Sequence, residues 1–327
     1  MANFGASVAV FGNTVVVGAP HENHSGMSNA GSVYVYERNV SDWDFDEELI
    51  SADPTSFEYF GTSVAIYHDT IVVGMPGHGS LEKGGAQVFR RKGASWEYDG
   101  TPIATSGGTT GASGIKYGTY CDIHRDLVAV GGDLVAPNVF QQDFFTDAWV
   151  AIGYNSLTTG GAAIHGTAVA VDHDQGNNDD ILVVGGYNKV KIFKHESNEW
   201  NQMDEEEVPT ESDDTKDGDA FGASVAISEG YVVAGAPMAH VGGLDPVGDV
   251  YVMDLNFANG GGTNGDGAPA KKKTAKQGDP QSKTSSPVLE YVGFCASKEF
   301  DSFAYMSMFT HLMLRFHCWV IAMGKAR

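Results

Sequence analysis

Along the first 256 residues, apolar and small side chains alternate with polar ones over runs of four to seven positions, and Gly, Asn, Asp or Pro interrupts each run. This period of two predicts short strands, and no stretch reads with comparable clarity as a helix. The runs also recur. A first strand, Ser7 to Phe11, is followed by a second, Thr14 to Gly18, a third, Gly31 to Tyr36, and a fourth that begins at a tryptophan, Trp43 to Ile50. The third strand is echoed by Gly85 to Phe89 and Gly248 to Val252, and the fourth by Trp96 to Ile103 and Trp200 to Val208.

The unit behind this pattern is visible in letters. Phe-Gly-x-Ser-Val-Ala occurs at Phe4 to Ala9, Phe60 to Ala65 and Phe221 to Ala226. Each copy is followed by a matching run, Val15 to Pro20, Ile71 to Pro76 and Val232 to Pro237. Two weaker copies fill the gap, Tyr117-Gly118 with Leu127 to Gly132, and His165-Gly166 with Ile181 to Gly186. Five units of four antiparallel strands, starting at residues 4, 60, 117, 165 and 221, are spaced as the blades of a propeller. The expected fold is all-β, a propeller of about five four-stranded blades over residues 1–256, either closed as such or part of a seven-bladed one.

In such a blade the motif aromatics Phe4, Phe60 and Phe221 are expected to wedge between neighbouring blades. The glycine beside each lets the backbone approach closely. Pro20, Pro76 and Pro237 end the second strand because proline has no N–H for the ladder.

The run Phe-Gly, Val-Val-Gly-Ala-Pro, Gly-Ser-Val-Tyr-Val-Tyr resembles the FG-GAP repeat of the integrin alpha-subunit propeller and its relatives. The copies at Tyr117 and His165 depart from it by replacing Phe and lacking Ala-Pro. The resemblance implies a noncatalytic module that binds a protein or glycan through loops on one face, at the cell surface or outside the cell. It extends equally to propellers attached to secreted hydrolases, so the alternative is such a domain whose catalytic partner is absent from this chain. An adhesion-like role rests on that analogy alone.

Charge narrows the partners. Residues 257–327 hold nine Lys or Arg and five Asp or Glu, which leaves 11 basic against 37 acidic residues in the repeats. A phosphate backbone needs the opposite field, so nucleic acid is excluded as the expected ligand, and divalent cations or basic partners suit the surface better. Cys121, Cys295 and Cys318 are too few and scattered for a disulfide framework. The first residues run straight into Phe4 without a secretory apolar region, so a truncated start is expected. Asn23-His24-Ser25 and Asn39-Val40-Ser41 are N-glycosylation sequons in predicted loops.

One loop carries candidate metal chemistry. Asp172-His173-Asp174-Gln175-Gly176-Asn177-Asn178-Asp179-Asp180 lies between two strands where the other repeats have a short turn. Carboxylates at positions 1, 3 and 9 of a tight loop suit a calcium ion, completed by backbone carbonyls and water. By resemblance to the integrin-type Asp-x-Asn-x-Asp-Gly-x-x-Asp loop, Asp172, Asp174 and Asp180 match ligands, while Gly176 stands where the family has Asp and Asn177 where it has Gly. With one charge missing, a single weak calcium site is expected.

Other constellations read as structural. Gly-x-Ser-x-Ala around Ser7, Ser63 and Ser224 has the letters of a nucleophile elbow, but a serine repeated in strands of three blades is no unique activated nucleophile. His21-Glu22-Asn23-His24 lacks the i, i+4 spacing of a zinc protease. No catalytic set is expected.

After Asn256 the pattern gives way to a Gly-rich stretch, Lys271-Lys272-Lys273 and a Ser/Thr/Pro run, a flexible linker over 257–287. Residues 288–327 show no clear period, and a disordered or poorly packed extension is expected there. Within it Phe303 to Met323 approaches spanning length, but Arg315 stands near its centre at a cost of roughly 3 kcal/mol, which leaves membrane association open. The apolar run Val288 to Val292 is a candidate for the fourth strand of the last repeat.

Overall fold

A computed structural model of the chain describes residues 2–40, 42–79, 83–104, 116–133, 135–152, 168–174, 179–186, 188–197, 199–207, 220–239, 248–255 and 273–275. These residues form five four-stranded antiparallel sheets, each in simple sequential order. Blade 1 is β1 (Ser7–Phe11), β2 (Thr14–Ala19), β3 (Ser32–Asn39) and β4 (Asp42–Leu49). Blade 2 is β5 (Ser63–Tyr67), β6 (Thr70–Gly74), β7 (Gly85–Lys92) and β8 (Ser95–Ala104). Blade 3 is β9 (Tyr120–His124), β10 (Leu127–Gly132), β11 (Val135–Gln142) and β12 (Trp149–Ile152). Blade 4 is β13 (Ala168–Asp174), β14 (Asp179–Gly186), β15 (Lys189–Glu196) and β16 (Glu199–Glu207). Blade 5 is β17 (Ser224–Ser228), β18 (Tyr231–Ala236), β19 (Asp249–Asp254) and β20 (Lys273–Ala275).

The all-β propeller expected from the repeats is therefore the observed architecture. The first strands β1, β5, β9, β13 and β17 together line one central cavity of about 470 Å³. The last blade takes its fourth strand from Lys273–Ala275, within the segment read as a linker, by pairing with Val250–Val252. The run Val288 to Val292 lies outside the described residues, as does the motif His165-Gly166.

The hydrophobic core is divided among the joints between blades. One buried cluster joins blades 1 and 2 through residues such as Val16, Val35, Phe60 and Ile71. Three more join blades 2 and 3, 3 and 4, and 4 and 5. Because side chains alternate across a strand, each inner blade sends one set of apolar residues to each neighbour. The fourth-strand tryptophans Trp96, Trp149 and Trp200 are buried in these joints.

The expectation that motif aromatics wedge between blades holds for Phe60 and Phe221, which are buried, but not for Phe4. Phe4 is 54 % exposed, because its ring lies on the face of blade 1 turned away from blade 2 and packs edge-on against Tyr34 of its own blade.

Candidate functional site

The Phe-Gly motif, Tyr-Gly in blade 3, forms a tight turn ahead of β1, β5, β9 and β17. The residue after the glycine donates its N–H to the carbonyl of the residue before the aromatic: Ala6 to Asn3, Thr62 to Tyr59, Thr119 to Lys116 and Ala223 to Ala220, at 3.0–3.2 Å. Gly5, Gly61, Gly118 and Gly222 sit at φ of +83° to +89°, the third position of a turn that side chains oppose. Each of these glycines then donates its N–H to the carbonyl of a glycine in the last two positions of the second strand, as in Gly61 to Gly74 at 3.0 Å.

That second glycine makes the joint close. A Cβ on Gly18 would stand 2.1 Å from the carbonyl oxygen of Gly61, on Gly74 1.9 Å from that of Gly118, and on Gly185 2.0 Å from that of Gly222. In two joints the motif serine completes the contact. Ser7 Oγ donates to the Gly61 carbonyl and Ser63 Oγ to the Gly118 carbonyl, both at 2.8 Å. The hydroxyls that mimic a nucleophile are thus directed at backbone oxygens of the next blade.

At the hairpin end of the inner strands, the fifth residue of β1, β5, β9 and β13 touches the next blade. Phe11 packs on Tyr67 at 4.9 Å, Tyr67 on His124 at 4.7 Å, and His124 Nδ1 approaches Asp172 Oδ1 at 3.0 Å. Asp172 Oδ2 accepts the N–H of Glu229 at 3.0 Å. One buried carboxyl group therefore ties blades 3, 4 and 5 together.

This arrangement bears on the expected calcium loop. β13 runs on to Asp174 and β14 starts at Asp179, so Asp172 pairs with Ile181 and His173 with Asp180. Asp172 and Asp180 therefore point to opposite faces of the hairpin. Asp180 Oδ1 lies 2.8 Å from His173 Nδ1, and Asp179 bonds Lys194 Nζ at 2.7 Å. The connecting residues 175–178, with Gly176, lie outside the described residues, and so does the side chain of Asp174. No cluster of three or more His, Cys, Asp or Glu suited to a metal occurs among the described residues.

The opposite end of the propeller carries the loops that lead into and out of the motif. The loop over residues 50–60 is clamped from both sides. Phe57 N–H bonds Ser28 O at 2.8 Å and Tyr59 N–H bonds Asn29 O at 3.1 Å, while Gly77 N–H bonds Glu58 O at 3.0 Å. Phe57 and Tyr59 are held at φ of +64° and +56°, an uncommon state for bulky residues that marks stored strain. Phe57 is 54 % exposed, and exposed His21 stands edge-on to half-buried Tyr59 at 5.2 Å. These rings form a rigid aromatic ridge above blades 1 and 2. The sequence reading missed it, because nothing in the letters Ser56-Phe57-Glu58-Tyr59 separates an exposed ring from a buried one.

Beneath the ridge, Glu58 is wholly buried. Its Oε2 accepts from the Thr55 N–H and hydroxyl at 3.2 and 3.1 Å and meets His78 Nδ1 at 2.8 Å. The bond to Glu58 raises the His78 pKa above the ordinary histidine value, against the opposing effect of burial and with help from the Glu58 and Asp53 charges. In the central cavity, burial pushes the Cys121 thiol up to about 12, so it is no activated nucleophile. On the hairpin face, Phe144 and Phe145 protrude at the turn between β11 and β12.

Comparison with known families bears on the same motifs. The FG-GAP repeat family model matches residues 1–36, 43–89 and 208–253, which take in most of blade 1, the first three strands of blade 2 and the first three strands of blade 5. The intervening blades keep the strand order and, in blade 3, the tight turn at Tyr117-Gly118. No curated protein matches the chain.

Proposed function

We propose that this FG-GAP repeat propeller, integrin-like in kind, is a noncatalytic recognition module that binds a protein or glycan through the motif-loop end of blades 1 and 2. The observation that carries the reading is the ridge of Phe57, Tyr59 and His21, exposed aromatic surface on loops held by hydrogen bonds from both sides. Rigid aromatic groups supply contact area at low ordering cost, and rings flanked by polar neighbours suit the apolar faces of sugars or protein side chains. Ser7 and Ser63, two of the three serines that an enzyme reading would use, are engaged in joints between blades. The sequons at Asn23 and Asn39 and the family likeness support a place outside the cell.

Binding of the chain to arrayed glycans and immobilised extracellular-matrix proteins tests the proposal. A bound species whose signal falls at least tenfold with Phe57→Ala, at unchanged melting temperature, supports it. Turnover of an ester, glycoside or peptide substrate that survives Phe57→Ala would replace it with an enzymatic reading.

A further inference from the structure

The rings of Phe57 and Tyr59 stand on a buried charge. Glu58, the residue between them, is 0 % exposed, and its Oε1 has no hydrogen-bond partner among the described residues. Its Oε2 accepts from the two Thr55 donors, which are neutral, and meets His78 Nδ1 at 2.8 Å. Among the described residues its ion-pair partner is His78 alone. A carboxylate taken out of water needs a counter-charge, because burial penalises the ionised form. The His78 side chain keeps 28 % of its surface in solvent, so it exchanges protons with water while Glu58 stays covered.

The loop that carries His78 is also joined to the ridge directly. A Cβ on Gly77 would stand 1.9 Å from Phe57 O and 3.0 Å from Tyr59 Cδ2, so the two backbones touch. His78 is fixed in that loop by its N–H to Met75 O at 3.1 Å and by the Gly84 N–H to its own carbonyl at 3.0 Å. On the other side, Phe57 and Tyr59 hold left-handed backbone that bulky residues seldom keep without support. When His78 loses its proton, a neutral imidazole at best keeps the hydrogen bond and no longer offsets the carboxylate charge. The segment that buries this carboxylate is the one that positions both rings.

We infer that the His78–Glu58 pair is a pH-sensitive buttress of the ridge: protonated His78 holds residues 55–59 and presents the rings, and neutral His78 lets the segment open so that water reaches Glu58. The consequence for capture rests on the recognition role proposed for the ridge: ligand binding weakens as pH rises. The window follows from the pair itself. The bond to Glu58, with the Glu58 and Asp53 charges, holds the His78 pKa above the ordinary value against the effect of burial. The buttress is therefore complete below about pH 6.5 and lost as pH rises through the raised folded value. Exposed His21 faces Tyr59 from the loop after β2 and titrates on the ridge itself, so it serves as the control.

The test is hydrogen exchange of the full chain, read at the Phe57 and Tyr59 amides as protection factors, which remove the intrinsic effect of pH. Between about pH 5.5 and about pH 9, protection in the parent should fall by about threefold or more. His78→Gln should sit at the low value throughout, and His21→Gln should follow the parent. Glu58→Gln, which removes the charge that needs offsetting, should also flatten the profile and stands in if His78→Gln does not fold. A flat parent profile, a His78→Gln profile that falls like the parent's, or a fall abolished by His21→Gln would overturn the inference. Capture of arrayed glycans and immobilised matrix proteins at the same two pH values reads the consequence: binding tighter at acid pH in the parent alone supports the gate, and binding independent of pH overturns it. Because exchange needs no ligand, the two readings fail separately. An array that captures nothing would remove the recognition role, and the exchange profiles would still decide the buttress.

Discussion

The hydroxyl of Ser7 donates to the carbonyl oxygen of Gly61, 2.8 Å away in the next blade, and Ser63 repeats the bond to Gly118. The most repeated polar group of the chain thus serves as a clasp between blades. A buried neutral hydrogen bond contributes about 1 kcal/mol, and removing its donor leaves the acceptor unsatisfied at a further cost. Ser63→Ala is expected to lower the melting temperature by about 2–6 °C. Thermal unfolding followed by circular dichroism checks this, and an unchanged melt would mean the clasp contributes nothing.

The glycine that receives the next blade should tolerate even less. Gly74→Ala places a methyl group 1.9 Å from the Gly118 oxygen, a contact that forces blades 2 and 3 apart. Destabilisation above about 3 kcal/mol is expected in urea unfolding, in the range reserved for disrupted cores. A loss below about 1 kcal/mol would show that the joint is looser than its geometry.

These two devices were legible in the sequence as letters but not as contacts. Phe-Gly-x-Ser recurs, and recurrence with strand periodicity is enough for the blades, since each must bury the same face. The partner of each letter lies 54 or 55 residues away in the next unit, so the role of Ser7 or Ser63 appears only when blades stack. Phe4 shows the limit of the reasoning: identical motifs differ in burial because a ring is buried by the preceding blade, not by its own. Lys273–Ala275 was missed because an outer strand held by backbone pairing needs no apolar alternation. The Asp172 to Asp180 run was read as a long loop because acidic residues disfavour strands, yet the pairing extends to Asp174 and Asp179.

Asp172 supplies a prediction that separates its structural role from metal binding. Its carboxyl group receives His124 from blade 3 and the Glu229 N–H from blade 5. Asp172→Asn should destabilise the protein by about 1–3 kcal/mol, the range for hydrogen bonds to charged groups. The drop should be the same with millimolar calcium and with a chelator. A parent that calcium stabilises and a variant that it does not would instead support the ligand role.

The His78–Glu58 contact predicts a pH dependence. Because the folded-state pKa of His78 is raised, chiefly by the bond to Glu58, the native state binds the proton more tightly than the unfolded chain. The stability this contributes is complete below the ordinary histidine pKa near 6.5 and is lost as pH rises through the raised folded value. The melting temperature of the parent should therefore fall between mildly acidic and mildly alkaline pH relative to His78→Gln. Parallel pH profiles for the two proteins would contradict the coupling.

The division of labour between joints and loops is tested most directly by measuring stability and ligand capture on the same two variants. With a glycan or matrix-protein ligand identified by array, Phe57→Ala should lose at least tenfold in affinity at the parent's melting temperature. Ser63→Ala should melt lower yet bind with parental affinity well below its melt. The account is contradicted if Ser63→Ala abolishes the activity of a fully folded protein while Phe57→Ala leaves it intact.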